Sequence, residues 1–327
     1  MHRLPAARPR RPEPDKRVRN RRAHRPIFQA RALPPLAEQV LEQYQEADPR
    51  TYLGNVFKAQ LVAGRYAEAI ASIRRLRVLL STEEPTRDTT ANLQFEIFAL
   101  AKVREAAEHS SFEQAFRSVF RETVRSLDAK EASDVIRSFG STLASFEEDL
   151  IKSVASHRDG RAFVDTRDAV DLVTKYALVG AYQSFRPLSA DLIAEDDDRR
   201  YVIDNDATIR AADGAELHAI VVRPRIPARP LPTLFTLTIY AGTINFGEAR
   251  RNAAHGYAAV VAYSRGKGGS PDAVAPYEHD AEDGVFGDPQ AGISARREKF
   301  SVLGHLAGER YRALPFPRIH RDPHRRD

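Results

Sequence analysis

The chain has 327 residues, enough for two domains with separate cores. A hydrophobic fraction of 42% and an aromatic fraction of 8% are those of a globular protein and exclude wholesale disorder. The formal net charge of +5 sits at the ends, because residues 1–31 carry a surplus of about nine positive charges and residues 296–327 about five, leaving an acidic body; the absence of cysteine removes disulfides, thiolate zinc sites and a cysteine nucleophile.

Residues 1–33 are built of Arg, Pro, Ala and His with little to bury, and read as a disordered basic tail. Clustered arginines would also suit a nucleic-acid-binding arm, since they release counterions from phosphates. No aromatic residues interleave with them as base stacking requires, so a solvated tail is the preferred reading and no nucleic-acid partner is expected. The arginines of Met1 to Arg31 are not followed by an apolar run, and no stretch approaches the roughly 20 apolar residues of a membrane span. No export signal or membrane segment is readable, and a cytoplasmic location is the default.

From residue 34 to 194 the period is helical. Leu36, Val40 and Tyr44 share one face, Tyr66, Ala69, Ile70 and Ile73 another, and Phe112, Phe116, Val119 and Phe120 a third. Further helices are expected over Leu93 to Ala101, Ala132 to Phe139, Leu143 to Val154 and Ala169 to Tyr176, the last capped by Asp165 or Thr166. Pro49, Gly64, Pro85, Gly140 and Gly160 punctuate a packed bundle. The segment Ala63 to Ile70 resembles one helix of a tetratricopeptide repeat and Phe112 to Phe116 echoes it. The two lie about 46 residues apart rather than 34 and no third copy follows, so plain helix packing is favoured over a peptide-binding array.

The run Glu195-Asp196-Asp197-Asp198 lacks the alternating spacing and turn glycine of a calcium loop and reads as a solvated linker between the helical domain and a second domain over residues 195–290. After Tyr201 the period becomes that of strands. Tyr201 to Arg210 and Glu216 to Arg223 flank Asp213-Gly214, a strong hairpin signal. Thr233 to Tyr240 and Ala258 to Tyr263 are almost free of charge, as buried parallel strands must be, and a helix is expected between them. The fold class is therefore α + α/β: a helical bundle, then the first strands of a mixed sheet, with basic tails at both ends.

These residues together resemble the α/β-hydrolase domain of the cocaine esterase and Xaa-Pro dipeptidyl-peptidase group. The likeness rests on the D-G hairpin, the strand ending at Tyr240, His255-Gly256-Tyr257-Ala258, the loop Arg265-Gly266-Lys267-Gly268-Gly269-Ser270, and Tyr277 to Asp283-Gly284. The helical region is similar to an N-terminal extension of some bacterial members. The resemblance implies acyl transfer from a small ester or peptide by a serine, a histidine and an aspartate, without a cofactor. It also implies that Tyr240 donates its hydroxyl to the oxyanion hole.

Nucleophile, acid and base are not found. The Arg265 to Ser270 loop lacks phosphate-loop spacing, and Pro271 removes the N–H that a nucleophile elbow at Ser270 would need, so the loop reads as structural. Gly292-Ile293-Ser294-Ala295-Arg296 lacks the second glycine of an elbow, and the order Ser294, Asp322, His324 reads as a compositional accident. The cluster Glu278 to Asp283 places His279 and Asp283 four residues apart, as a metal site would, yet suits the first turn of a helix better. Residues 291–327 read as a disordered or non-native basic tail, as out-of-frame translation of a GC-rich gene would give, and the hydrolase sheet as cut off before its nucleophile. A helical interaction module over residues 34–194 and nucleic-acid binding by the tails are the alternatives.

Overall fold

The computed structural model describes residues 27–83, 90–156, 164–211, 213–226, 231–274 and 278–283, and the backbone of the short stretches 300–302, 305–306 and 309–310. Most of the two basic tails therefore lies outside the described residues, as do Pro85 and Gly160. Of residues 1–33, the described ones open the first helix.

Eight helices come first: α1 (Ile27–Gln43), α2 (Pro49–Val62), α3 (Tyr66–Glu83), α4 (Leu93–Glu108), α5 (Phe112–Ser126), α6 (Ala129–Phe139), α7 (Leu143–Ser156) and α8 (Thr166–Arg200). Their starts are set by short polar side chains that accept from otherwise unpaired first-turn N–H groups. Asp48 caps α2 with Pro49 at its first position, and Ser111 with Gln114 and Asp128 with Glu131 form reciprocal capping boxes on α5 and α6. Asp165, and not Thr166, caps α8 through the Asp168 N–H. Gly64, at φ +77°, turns the chain between α2 and α3 in a conformation that costs other residues a Cβ clash.

The expected faces meet in one aromatic core. Ala69, Ile70, Ile73, Phe116, Val119 and Phe120 are all buried, with Tyr66 and Phe112 packed against them. Phe185 of α8 stacks on Phe116 at 5.9 Å and meets Phe139 edge-on at 5.0 Å, tying α5, α6 and α8 together. Val40 buries against Ala169, Val170 and Val173 of α8 in a smaller cluster.

The acidic run is not a linker. It forms the last turns of α8, which continues 24 residues past Tyr176 to Arg200. Glu195 pairs with Arg121 at 2.8 Å. Asp196, 6% exposed, holds Arg199 at 2.6 Å and Arg200 at 2.7 Å. Arg200 also donates to the carbonyls of Val124 and Leu127, closing the end of α5. Four adjacent acids are tolerated in a helix because each meets a guanidinium or the surface, while Arg199 and Arg200 complement the C-terminal dipole.

The chain passes from α8 into the sheet with no intervening residue. Strands β1 (Tyr201–Arg210) and β2 (Glu216–Pro224) form the expected antiparallel hairpin, with Arg210 opposite Glu216. Strand β3 (Thr233–Thr238), helix α9 (Thr243–Ala254) and strand β4 (Ala258–Tyr263) follow, then a short helix α10 (Asp280–Asp283) and the short strands β5 (Phe300–Val302), β6 (His305–Leu306) and β7 (Glu309–Arg310). The sheet order is β1-β2-β4-β3-β5; β4 is antiparallel to β2 and parallel to β3, and β3 is parallel to β5. A parallel pair needs a crossover, and α9 supplies it, laying Ala249 and Ala253 on Val222, Ala259 and Val261. The other face gathers Leu217, Ala219, Phe235, Val260 and Ala262.

Asp197 joins the two halves. Its carboxylate, 4% exposed, accepts from Arg250 of α9 at 3.2 Å, and burial holds it above the usual carboxylate range despite that arginine. Tyr201 lies against the same group, its phenol pushed up to about 12 chiefly by burial. A carboxyl raised on folding contributes stability that is complete below its unfolded value and lost as pH rises through its folded one. Arg250→Ala is expected to strand the buried carboxylate, lowering stability by about 3–5 kcal/mol and raising the Asp197 value further. Urea unfolding from pH 3 to 7 measures both, and Asp197→Leu with Arg250→Met is expected to recover most of the loss. An Arg250→Ala midpoint equal to the parent's would remove the joint.

Candidate active-site rim

In a sheet of this type, ligands gather at the carboxyl ends of the parallel strands. Strand β3 ends at Thr238, two residues short of the expected Tyr240. Tyr240 stands beyond the strand with its side chain outward and is 61% exposed. Its backbone is held from both sides. The Tyr240 N–H donates to Thr238 Oγ1 at 3.1 Å, and its carbonyl accepts from Asn245 Nδ2 at 2.7 Å. Thr238 and Asn245 are both buried, so the phenol is free in solution while its main chain is anchored. The resemblance singled out Tyr240 without these two supports; the polar threonine at a strand end and asparagine in the following first turn are the sequence signal for them.

Beside it, β4 ends at Tyr263 and delivers the glycine loop. Ser264, 2% exposed, donates its N–H to the Thr238 carbonyl at 3.0 Å and its hydroxyl to Asp280 at 3.0 Å. Arg265 forks onto Asp283, with contacts at 2.6 and 3.1 Å, and reaches Asp213 of the hairpin turn at 2.7 Å. Both carboxylates raise the Arg265 guanidinium, Asp283 more strongly, and Asp283 is fully buried. The Asp213 carboxyl is held low, first by the Ala215 N–H and then by Arg265.

Ser270 is tied into the loop. It is 7% exposed, its hydroxyl donates to the Tyr263 carbonyl at 3.0 Å, and the same oxygen accepts the His218 N–H at 2.9 Å. The structural reading of the loop holds. Gly268, at φ +55°, lies so close to the Tyr263 ring that a Cβ there would sit 2.3 Å from it. His218 stacks on that ring at 5.9 Å and contacts Asp206 at 2.9 Å, a pair that the sequence did not reveal.

The Glu278 to Asp283 cluster forms the turn leading into α10, and Asp283 is committed to Arg265. Among the described residues no group of His, Asp or Glu is arranged to hold a metal ion. Tyr277, Gly284, Ser294, Asp322 and His324 lie outside the described residues.

A D-G hairpin feeding a parallel strand–helix–strand unit, with a pinned tyrosine and a glycine loop at the strand ends, is the rim of an α/β domain. Residues 213–285 match the model of the X-Pro dipeptidyl-peptidase (S15) family. A search of curated proteins gave no match. No helix among the described residues is long and apolar enough to cross a membrane.

Arg265→Ala is expected to leave Asp283 as an uncompensated buried charge and to lower stability by about 3–5 kcal/mol. Asp213→Asn, at the half-exposed end of the fork, should cost much less, because solvent screens that end. Thermal unfolding of the two variants checks the difference. Equal losses would mean that the fork does not anchor α10.

Proposed function

We propose that residues 201–284 are the opening part of a serine acyl-hydrolase domain of the cocaine esterase and X-Pro dipeptidyl-peptidase type, acting on small esters or peptides, in which Tyr240 donates to the oxyanion. The observation that carries this reading is the anchoring of Tyr240 at the end of a parallel strand with an exposed phenol. When a nucleophile attacks a carbonyl, negative charge develops on its oxygen, and a donor held in place beforehand stabilises that charge without reorganising. Thr238 and Asn245 supply the holding, because they fix the main chain from which the phenol projects. Arg265 ties the neighbouring loop to Asp283 and to Asp213 of the hairpin turn. The chain carries this donor without an assigned nucleophile, acid or base, and is inactive or nearly so by itself.

Two measurements test the proposal. A fluorophosphonate probe is expected to leave the purified chain unlabelled, and labelling would overturn its inactivity. In a chimera where residues 201–284 replace the matching opening of an active X-Pro dipeptidyl-peptidase, Tyr240→Phe should lower kcat by about 10²–10³-fold. An unchanged kcat in an active chimera would sink the oxyanion role.

A further inference from the structure

Helices α6, α8 and α9 enclose a cleft of about 670 Å³ where the helical half meets the sheet. Its size is that of a small-molecule site, and junctions between structural units are where such sites concentrate. The lining is unbalanced in charge: Arg137, Arg186, Arg250 and Arg251 face a single carboxylate, Asp134. Arg137 is paired with Asp134 at 3.2 Å and Arg250 with Asp197, which leaves Arg186 and Arg251 without an ion pair among the described residues.

The cleft runs along α9, past Thr243 and Ile244 in its first turn and Gly247 at its middle. Apolar wall is present as well, from Ile136, Phe139, Ile193 and Ile244.

We infer that this cleft binds an organic anion: a carboxylate or phosphate group held by Arg186 of α8 and Arg251 in the last turn of α9, on an apolar body about the size of one ring. Guanidinium matches either head group in a bidentate manner, and the apolar wall distinguishes an organic anion from an inorganic one. The site stands apart from acyl transfer, since binding is expected of a chain that no fluorophosphonate labels. Failure of one reading leaves the other intact.

Calorimetric titration of the full chain tests it, with phenyl phosphate and benzoate as the organic anions, inorganic phosphate as the bare head group and phenol as the neutral body. Saturable binding of phenyl phosphate or benzoate is expected, with inorganic phosphate and phenol each at least about tenfold weaker. Arg186→Ala with Arg251→Ala, both exposed positions, should weaken the organic anion by about tenfold or more. Arg75→Ala, an exposed arginine of α3 remote in sequence, should leave it unchanged. Ala190→Trp, which fills the cleft and keeps every arginine, should also abolish binding and covers the case in which the double variant does not fold. The proposal is overturned if neither organic anion binds saturably, if a folded double variant or Ala190→Trp binds as the parent does, or if Arg75→Ala loses as much as the double variant.

Discussion

The architecture depends on a pair of buried carboxylates in the last turn of α8. Asp196 faces back into the helical half, where it aligns Arg200 against the open carbonyls of α5, and Asp197 faces forward to Arg250 under the sheet. Taking either charge out of water is costly, and only the opposed guanidinium offsets the cost. This arrangement pairs Asp196 on the helical side and Asp197 on the side of the sheet. Arg225 adds to it from the end of β2, donating to the carbonyls of Asp198 and Tyr201 at 2.7 and 2.8 Å. The helical half is thus part of the surface on which the first strand of the sheet is laid down.

At the opposite end of the sheet the same logic positions the loops. The loops at the strand ends are held by polar side chains bonded to main-chain groups, Thr238 and Asn245 to Tyr240 and Ser270 to Tyr263 and His218, and by the Ser264 hydroxyl on the Asp280 carboxylate. Such bonds cost little when exposed and are hard to replace when buried, because the orphaned partner has no water to turn to. The outcome is a rim whose backbone is fixed and from which the Tyr240 side chain projects into solvent.

Much of this was legible from the order of residues. The helical faces around Ile73, Phe116 and Phe120 were readable because burial follows a 3.6-residue period, and the hairpin because Asp213-Gly214 suits a tight turn. The acidic run was misread for a physical reason. Four consecutive acids look solvated when judged by their neighbours in sequence, but their partners Arg121 and Arg250 lie 74 and 53 residues away, and no local pattern announces them. Tyr240 was singled out by resemblance, and the strand was drawn two residues too long because Ile239 and Tyr240 continue its charge-free run. The charge of the cleft was illegible for a similar reason, since Arg186 and Arg251 become neighbours of one cavity only when α8 and α9 meet.

Because α8 runs into β1 without a spare residue, the boundary between the two halves offers no seam for recombination. A sheet of this kind fused behind a different N-terminal partner would keep Arg250 but lose Asp197, and Arg225 would lose the helix-end carbonyl of Asp198 to which it donates. Exchange of the helical half through gene fusion would have to bring its own carboxylate to the same spot, so the two parts are expected to be inherited as one piece.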